Sequence, residues 1–278
     1  MSAPKIQIAK IAVAVAFSPR LKAVLSEARR FAERFGAQLT ILHAGKRAAD
    51  LQRDLHAAME AAGLPIDVRV EWLDGEPTEA ILAWLKNART DLLIAGALER
   101  ERTGRHFLGT VARELLRRAQ CSLLLFSQPR VEPHFFRKII AVTDLTEAAQ
   151  TAFRVALSFA EKERAESLQV VAVFSPLKAA RAELNDAADS AKYQPEKRQA
   201  QLDEFASAAA AGSPVLVETR MIETTTGVSV CDFARSIEAE LLVLPARVHQ
   251  EGLSLLPSYM DWVFQVIPCN LWVVRTDV

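Results

Sequence analysis

"KIAVAVAFSPRLKAVLSEARRFAERFGAQLTILHA" (residues 10–44) and "KIIAVTDLTEAAQTAFRVALSFAEKERAESLQVVAVF" (residues 138–174) follow one plan written twice. Each opens on a lysine and a β-branched apolar run, passes a Ser or Thr, enters an alanine-rich amphipathic stretch and leaves through a second apolar run. In the first copy Leu21, Val24, Leu25, Ala28, Phe31, Ala32 and Phe35 share one face at helical spacing. The distal ends match as well. "DLLIAG" (91–96) answers "ELLVLP" (240–245), and "FLGTVARELLRRAQCSLLLF" (107–126) answers "LLPSYMDWVFQVIPCNLWVV" (255–274), with Cys121 opposite Cys269. A chain built of two copies of one unit settles the architecture before any single residue does.

Within the first copy, short apolar runs at 10–16, 38–44, 66–73, 91–96 and 121–127 read as strands. The intervals carry helical periodicity. "TEAILAWLKNA" (78–88) starts behind Pro77, a residue suited to the first helical turn. Strands that are apolar throughout, rather than alternating, are buried on both faces, which requires a parallel sheet with helices on either side. Right-handed crossovers then make each copy a doubly wound, five-stranded α/β sandwich. The expected domains are 1–130 and 137–278. They are joined by "SQPRVEPHFFRK" (127–138), too short and proline-bound for a free linker, so the two are expected to pack on each other.

The second copy is longer by about 20 residues, most of them between Pro176 and Gly212. In "LKAARAELNDAADSAKYQPEKRQAQLDEFASAAAAG" (177–212), Leu177, Ala180, Leu184 and Ala188 suggest a helix, Pro195 a break, and Leu202 and Phe205 a second helix. This reads first as a solvated helical pair, and second as a lid or docking surface. Leu253, Leu255, Leu256, Tyr259, Trp262 and Phe264 would supply an apolar core or interface nearby, or else line an apolar pocket of the second domain suited to a lipid-like ligand.

Composition narrows the function. Lys+Arg and Asp+Glu are both 34, giving zero formal net charge, so neither nucleic acid nor an anionic membrane is favoured as a partner. The same balance eases association between copies, so a further homodimer is open. Lys5 and Lys10 interrupt the apolar N-terminal run, and no stretch approaches the ~20 apolar residues of a membrane span. Cys121, Cys231 and Cys269 are too scattered for a disulfide framework or a zinc site. The five histidines show no ligand spacing, so no metal is expected. Together these place the chain in the cytoplasm.

The candidate site is "GALERERTGRHFLGT" (96–110), between the apolar "DLLIA" and the helical "VARELLRRA". Gly96 lets backbone leave a strand close to a ligand. Gly109 and Thr110 would offer N–H groups and a hydroxyl to phosphate at a helix start, Val111 follows them, and Arg105 among the loop arginines would add a charge-assisted contact.

On these residues each half resembles a universal stress protein domain, and the whole resembles the tandem kind. The family motif G-x2-G-x9-G-[ST] falls here on Gly96, Glu99, Gly109 and Thr110, with Glu99 in place of the second glycine. The resemblance implies an adenine nucleotide alpha hydrolase-like fold and an intramolecular pseudo-dimer. It also implies a non-catalytic role in stress tolerance, with ATP or another small phosphate ligand as candidate cofactor, none being required, and protein partners as the alternative route of action. In nucleotide-binding members an aspartate ends the first strand, where this chain has Ala16 in the first half and Asp144 in the second. The second half has Pro245, Val248 and Pro257-Ser258 at the motif positions, and Pro257 has no N–H to offer, so no nucleotide is expected there. Asp144 reads better as a cap of the turn before its helix, and His43 as a partly buried histidine with its nitrogens satisfied. Ser18 lacks the glycine-flanked elbow of a hydrolase nucleophile, and no residue is an evident general base.

Overall fold

The computed structural model describes residues 8–102, 105–174, 195–223, 228–248, 254–255 and 267–276. At 98–107, 174, 195, 248 and 254–255 the description is of the backbone. The chain divides into two compact units, Met1–His134 with Val248–Ser254, and Phe135–Arg247 with Leu255–Val278.

In the first unit the order is β1 (Lys10–Ala14), α1 (Leu21–Phe35), β2 (Gln38–Ala44), α2 (Ala49–Ala61), β3 (Arg69–Leu73), α3 (Pro77–Ala88), β4 (Leu92–Gly96), a hairpin of β5 (Leu98–Arg102) and β6 (Arg105–Leu108), α4 (Thr110–Arg118) and β7 (Ser122–Phe126). The sheet runs β7-β4-β1-β2-β3, all pairs parallel. Leu21, Val24, Leu25, Ala28, Phe31 and Ala32 of α1 are buried as their spacing predicts, and Phe35 is half-buried. Gly36 stops that helix in the left-handed region (φ 63°), its N–H donating to the Ala32 and Glu33 carbonyls. Helix α3 begins at Pro77, and the Glu76 carboxylate caps it by accepting from Thr78 N (2.9 Å) and Glu79 N (3.2 Å).

The second unit repeats the plan with β8 (Lys138–Thr143), α5 (Glu147–Glu163), β9 (Ser167–Phe174), α6 (Pro195–Ala210), β10 (Leu216–Glu223), α7 (Val228–Ser236), β11 (Leu241–Val248), the two-residue β12 (Ser254–Leu255) and β13 (Asn270–Thr276). Its parallel strands lie in the order β10-β9-β8-β11-β13, the same topology. The first helix of each unit sets an aromatic ring edge-on to a ring of the last strand. Phe31 meets Phe126 at 5.9 Å and 83°, and Phe159 meets Trp272 at 5.3 Å and 88°.

Part of the 177–212 reading is corrected. Pro195 opens a helix, where its missing N–H costs nothing. That helix is not a solvated arm or a lid. Leu202 and Ala206 are buried, and Phe205 stacks on Phe153 of α5 at 5.6 Å. Falling between β9 and β10, α6 holds the place that α2 holds in the first unit. The helix read from Leu177 to Ala188, and the side chains of Leu253, Leu255, Leu256, Tyr259, Trp262 and Phe264, lie outside what the structure describes.

The segment between the units is held at both ends by buried carboxylates. Glu27 of α1 accepts from Arg130 N (3.2 Å) and pairs with Arg30 (3.3 Å). Glu163 of α5 accepts from Phe136 N (2.9 Å). Both acids are nearly fully buried, so losing either would strand a backbone donor.

Candidate functional site

In a doubly wound sheet the chain turns from β1 toward β2 and β3, then returns across β1 to β4. The crevice beyond the carboxyl ends of β1 and β4 is the topological switch point, where ligands of such folds bind. The first unit has a cavity of about 300 Å³ there. Ala14, Val15 and Ala16 line it from the end of β1, Ala95 and Gly96 from β4, and His43 and Ala44 from β2. Helix α1 gives Leu21 and Val24, α3 gives Pro77 and Ile81, and α4 gives Val111, Ala112 and Leu115. Ser18 and Arg20 stand on the loop from β1 to α1.

Two helices of this wall are tied together. Arg118 at the end of α4 makes a bidentate pair with Glu79 in the first turn of α3, one arm measuring 2.9 Å. That hydrogen-bonded guanidinium holds the Glu79 carboxyl below the usual carboxylate range.

The anticipated phosphate residues divide. Gly96 and Val111 line the cavity. A Cβ built on Gly96 would meet only a Val24 methyl at 3.7 Å, ordinary van der Waals contact, so packing does not demand glycine there. Gly109 is the residue before α4 (φ −63°, ψ 158°), with no side chain capping that helix. Its N–H is already given to Ala97 O (2.9 Å) and is not free for a ligand. Thr110 begins α4 and is exposed.

Where the sequence suggested an open loop, β5 and β6 pair antiparallel, with a register shift between Leu98 and Glu101. Pairing Leu98 with Leu108 commits backbone donors that a phosphate-wrapping loop would leave open. Arg105 lies on this hairpin, paired with Arg102 across the ladder, and its side chain is outside the described residues. Arg113 turns back to Leu108 O (3.4 Å).

His43 lines the cavity, a place the sequence alone did not give it. It is buried, and its Nδ1 lies 3.1 Å from Val15 O. A carbonyl only accepts, so Nδ1 carries a hydrogen. Phe17 (4.8 Å, 73°) and Trp72 (5.0 Å, 76°) stand edge-on to it. One signal pointed to it: His43 stands at the carboxyl end of the second strand, the sheet edge where the crevice opens. Ser18 and His43 both line the cavity, yet Ser18 Oγ accepts from Arg20 N (3.3 Å) and no hydrogen bond joins it to His43 among the described residues. Among those residues no cluster of three His, Cys, Asp or Glu is poised for a metal, and no helix is long and apolar enough to cross a membrane.

In the second unit Asp144 does the capping work read from sequence. Its Oδ1 accepts from Thr146 N (3.1 Å) and Thr146 Oγ1 (2.5 Å), while Thr146 Oγ1 accepts from Ala149 N (3.3 Å) at the start of α5. The intervening Leu145 is left-handed (φ 65°). Pro245 sits inside β11 opposite Val274, beyond the three residues of that strand that pair with β8.

The universal stress protein family model matches residues 45–127 and again 135–275. The chain belongs to the universal stress protein family. A universal stress protein from Archaeoglobus fulgidus DSM 4304 aligns with a TM-score of 0.70 at 15% identity, over 97% of this chain and 99% of its own. A putative universal stress protein from Pseudomonas aeruginosa UCBPP-PA14 aligns at 0.68 and 15% identity, over 96% and 93%. A universal stress protein solved in complex with cAMP covers 42% of this chain and 94% of its own at 23% identity, with a TM-score of 0.36. A search of curated proteins gives no match. Two matches in one chain, and whole-chain structural neighbours of the same name, make this a tandem universal stress protein.

Proposed function

We propose that this tandem universal stress protein is a cytoplasmic, non-catalytic binding protein of the stress response. In this reading its small-molecule site is the cavity of the first unit and the second unit is structural. One observation carries it: the switch-point cavity is bordered both by Gly96 and by the first turn of α4, whose N–H groups have no side-chain cap. That pairing suits an anion such as a nucleotide phosphate outside an apolar pocket. Ala16 supplies no carboxylate, and Gly109 N–H is engaged, so ATP is expected to bind weakly.

The second reading is a protein that binds no nucleotide and acts on protein partners. The closed 98–108 hairpin favours it. Calorimetric titration with ATP separates the two. The first reading expects weak binding to the full chain and at least several-fold tighter binding in Glu99→Gly, since removing a carboxylate near phosphate relieves ~1 to a few kcal/mol. Heat-silent titrations of both proteins would support the second reading.

A further inference from the structure

The first unit has a second concavity, at the opposite end of β1 from the switch point. It is a groove of about 400 Å³, a size usual for small-molecule sites. Lys10, Gln38 and Arg69, the first residues of β1, β2 and β3, line it together with Thr40. Lys10 is in register with Gln38, and Thr40 with Arg69, so all four side chains leave one face of the sheet. Helix α3 walls the groove with Trp84 and Asn87, and Thr90 follows that helix. No acidic side chain lines it. Arg69 is paired with Glu71 on its own strand. The side chains of Lys10, Gln38, Thr40 and Thr90 make no hydrogen bond or ion pair among the described residues, and among them no ring or cation stands against Trp84. Asn87 commits only its Nδ2, to Ala83 O (3.2 Å), which leaves Oδ1 to accept.

The second unit shows the same face when the chain satisfies it. Lys138 is in register with Ser167 as Lys10 is with Gln38, and Gln169 with Glu218 as Thr40 is with Arg69. There Lys138 pairs with Glu238 (3.5 Å), and Gln169 donates to Glu218. Asp91 N and Glu240 N make matching bonds, to Lys10 O and Lys138 O, so Trp84 and Phe233, seven residues before each, hold the same place. Arg220 lies over the Phe233 ring at 4.7 Å. One arrangement of strands and helix therefore carries self-paired groups in the second unit and an open, cationic set in the first.

We propose that this groove of the first unit binds a pyranose sugar bearing one anionic group, a phosphate or a carboxylate. Lys10, whose charge no residue of the described chain pairs, meets the anion. The Gln38 amide, the Thr40 and Thr90 hydroxyls and Asn87 Oδ1 supply the mixed donors and acceptors that sugar hydroxyls require. Trp84 offers its ring to the apolar C–H face of the pyranose. The groove shares no lining residue with the switch-point cavity and does not depend on a ligand there.

The test titrates the full chain calorimetrically with glucose 6-phosphate, glucuronate, glucose and inorganic phosphate. At least one acidic sugar is expected to bind about 5–10-fold more tightly than glucose or inorganic phosphate, the worth of one charge-assisted hydrogen bond. Either acidic sugar meeting this supports the proposal and names the anion. Lys10→Gln, a change at an exposed residue, lowers that affinity to the level of glucose. Trp84→Ala weakens both kinds of sugar, and Lys138→Gln in the second unit changes nothing. Acidic sugars that bind no better than inorganic phosphate overturn the proposal, as does an affinity unmoved by Lys10→Gln. ATP titrated into Lys10→Gln keeps its wild-type affinity if it is held at the switch point, so the two sites fail separately.

Discussion

The two units share a strand order and an aromatic pair between first helix and last strand, yet they treat the end of their first strand in opposite ways. In the first unit the chain leaves β1 through Ala16, Phe17 and Ser18 and surrounds a cavity. In the second it leaves β8 through Asp144, whose carboxylate is consumed by Thr146 at the start of α5. A polar residue at a ligand-binding position is therefore no sign of a ligand. What distinguishes the units is what stands at that end: Asp144 Oδ1 is engaged by Thr146 of its own turn, whereas in the first unit Ala16 and the ring of His43 line a cavity.

The comparison can be pressed by substitution. The largest effect belongs to the shared core. Trp272→Ala in the second unit and Phe31→Ala in the first each remove a fully buried ring, at a cost of about 3–5 kcal/mol measured by urea denaturation. A much smaller loss at either would break the claim that the aromatic pairs are equivalent. Next comes the difference between the strand ends. Asp144→Ala is expected to cost about 1 kcal/mol, as the loss of a cap does, and to leave ligand binding untouched. A change in binding with no change in stability would give the second unit a ligand role.

The clamp on the inter-unit segment makes a pH prediction. Burial raises the Glu27 carboxyl, opposed in part by Arg30, the Arg130 N–H and His134. An acid with a raised folded-state pKa holds its proton more tightly when folded. Its contribution to stability is full below the ordinary value of 4.5 and is lost as pH climbs through the folded value. The stability of the wild-type chain relative to Glu27→Gln should therefore improve as pH is taken from neutral toward 4.5, and a flat difference would refute the assignment. The smallest effect is on the thiols. Burial pushes Cys231 up to about 12 and Cys269 further, whereas Cys121 is partly accessible. Iodoacetamide near pH 8 should label Cys121 first and the other two only as the second unit unfolds.

The fold was legible because its signals are local. The apolar strand runs and the α1 stripe from Leu21 to Ala32 fix strand and helix directly, and the repeat supplies the order. The site was only half legible. Gly96 stands at a motif position and Val111 just after one, and both line the cavity. The fate of Gly109 was not legible, because its N–H goes to Ala97 O, a partner the motif does not specify. His43 was read as a partly buried histidine, and one of its nitrogens does lie 3.1 Å from Val15 O; that its ring also lines the cavity depends on the packing of β1 and β2, which the sequence does not carry. Likewise the helix carrying Leu202 and Phe205 was legible from their spacing, but its burial against α5 was not.

Hydrogen–deuterium exchange of the full chain with and without saturating ATP tests the central asymmetry most directly. The account predicts slowed exchange at Ala14–Ala16, around His43 and Gly96 and through the first turns of α4, with residues 138–146 and 241–248 unchanged. Protection centred on Asp144 and the end of β11, with the first unit indifferent, would contradict it.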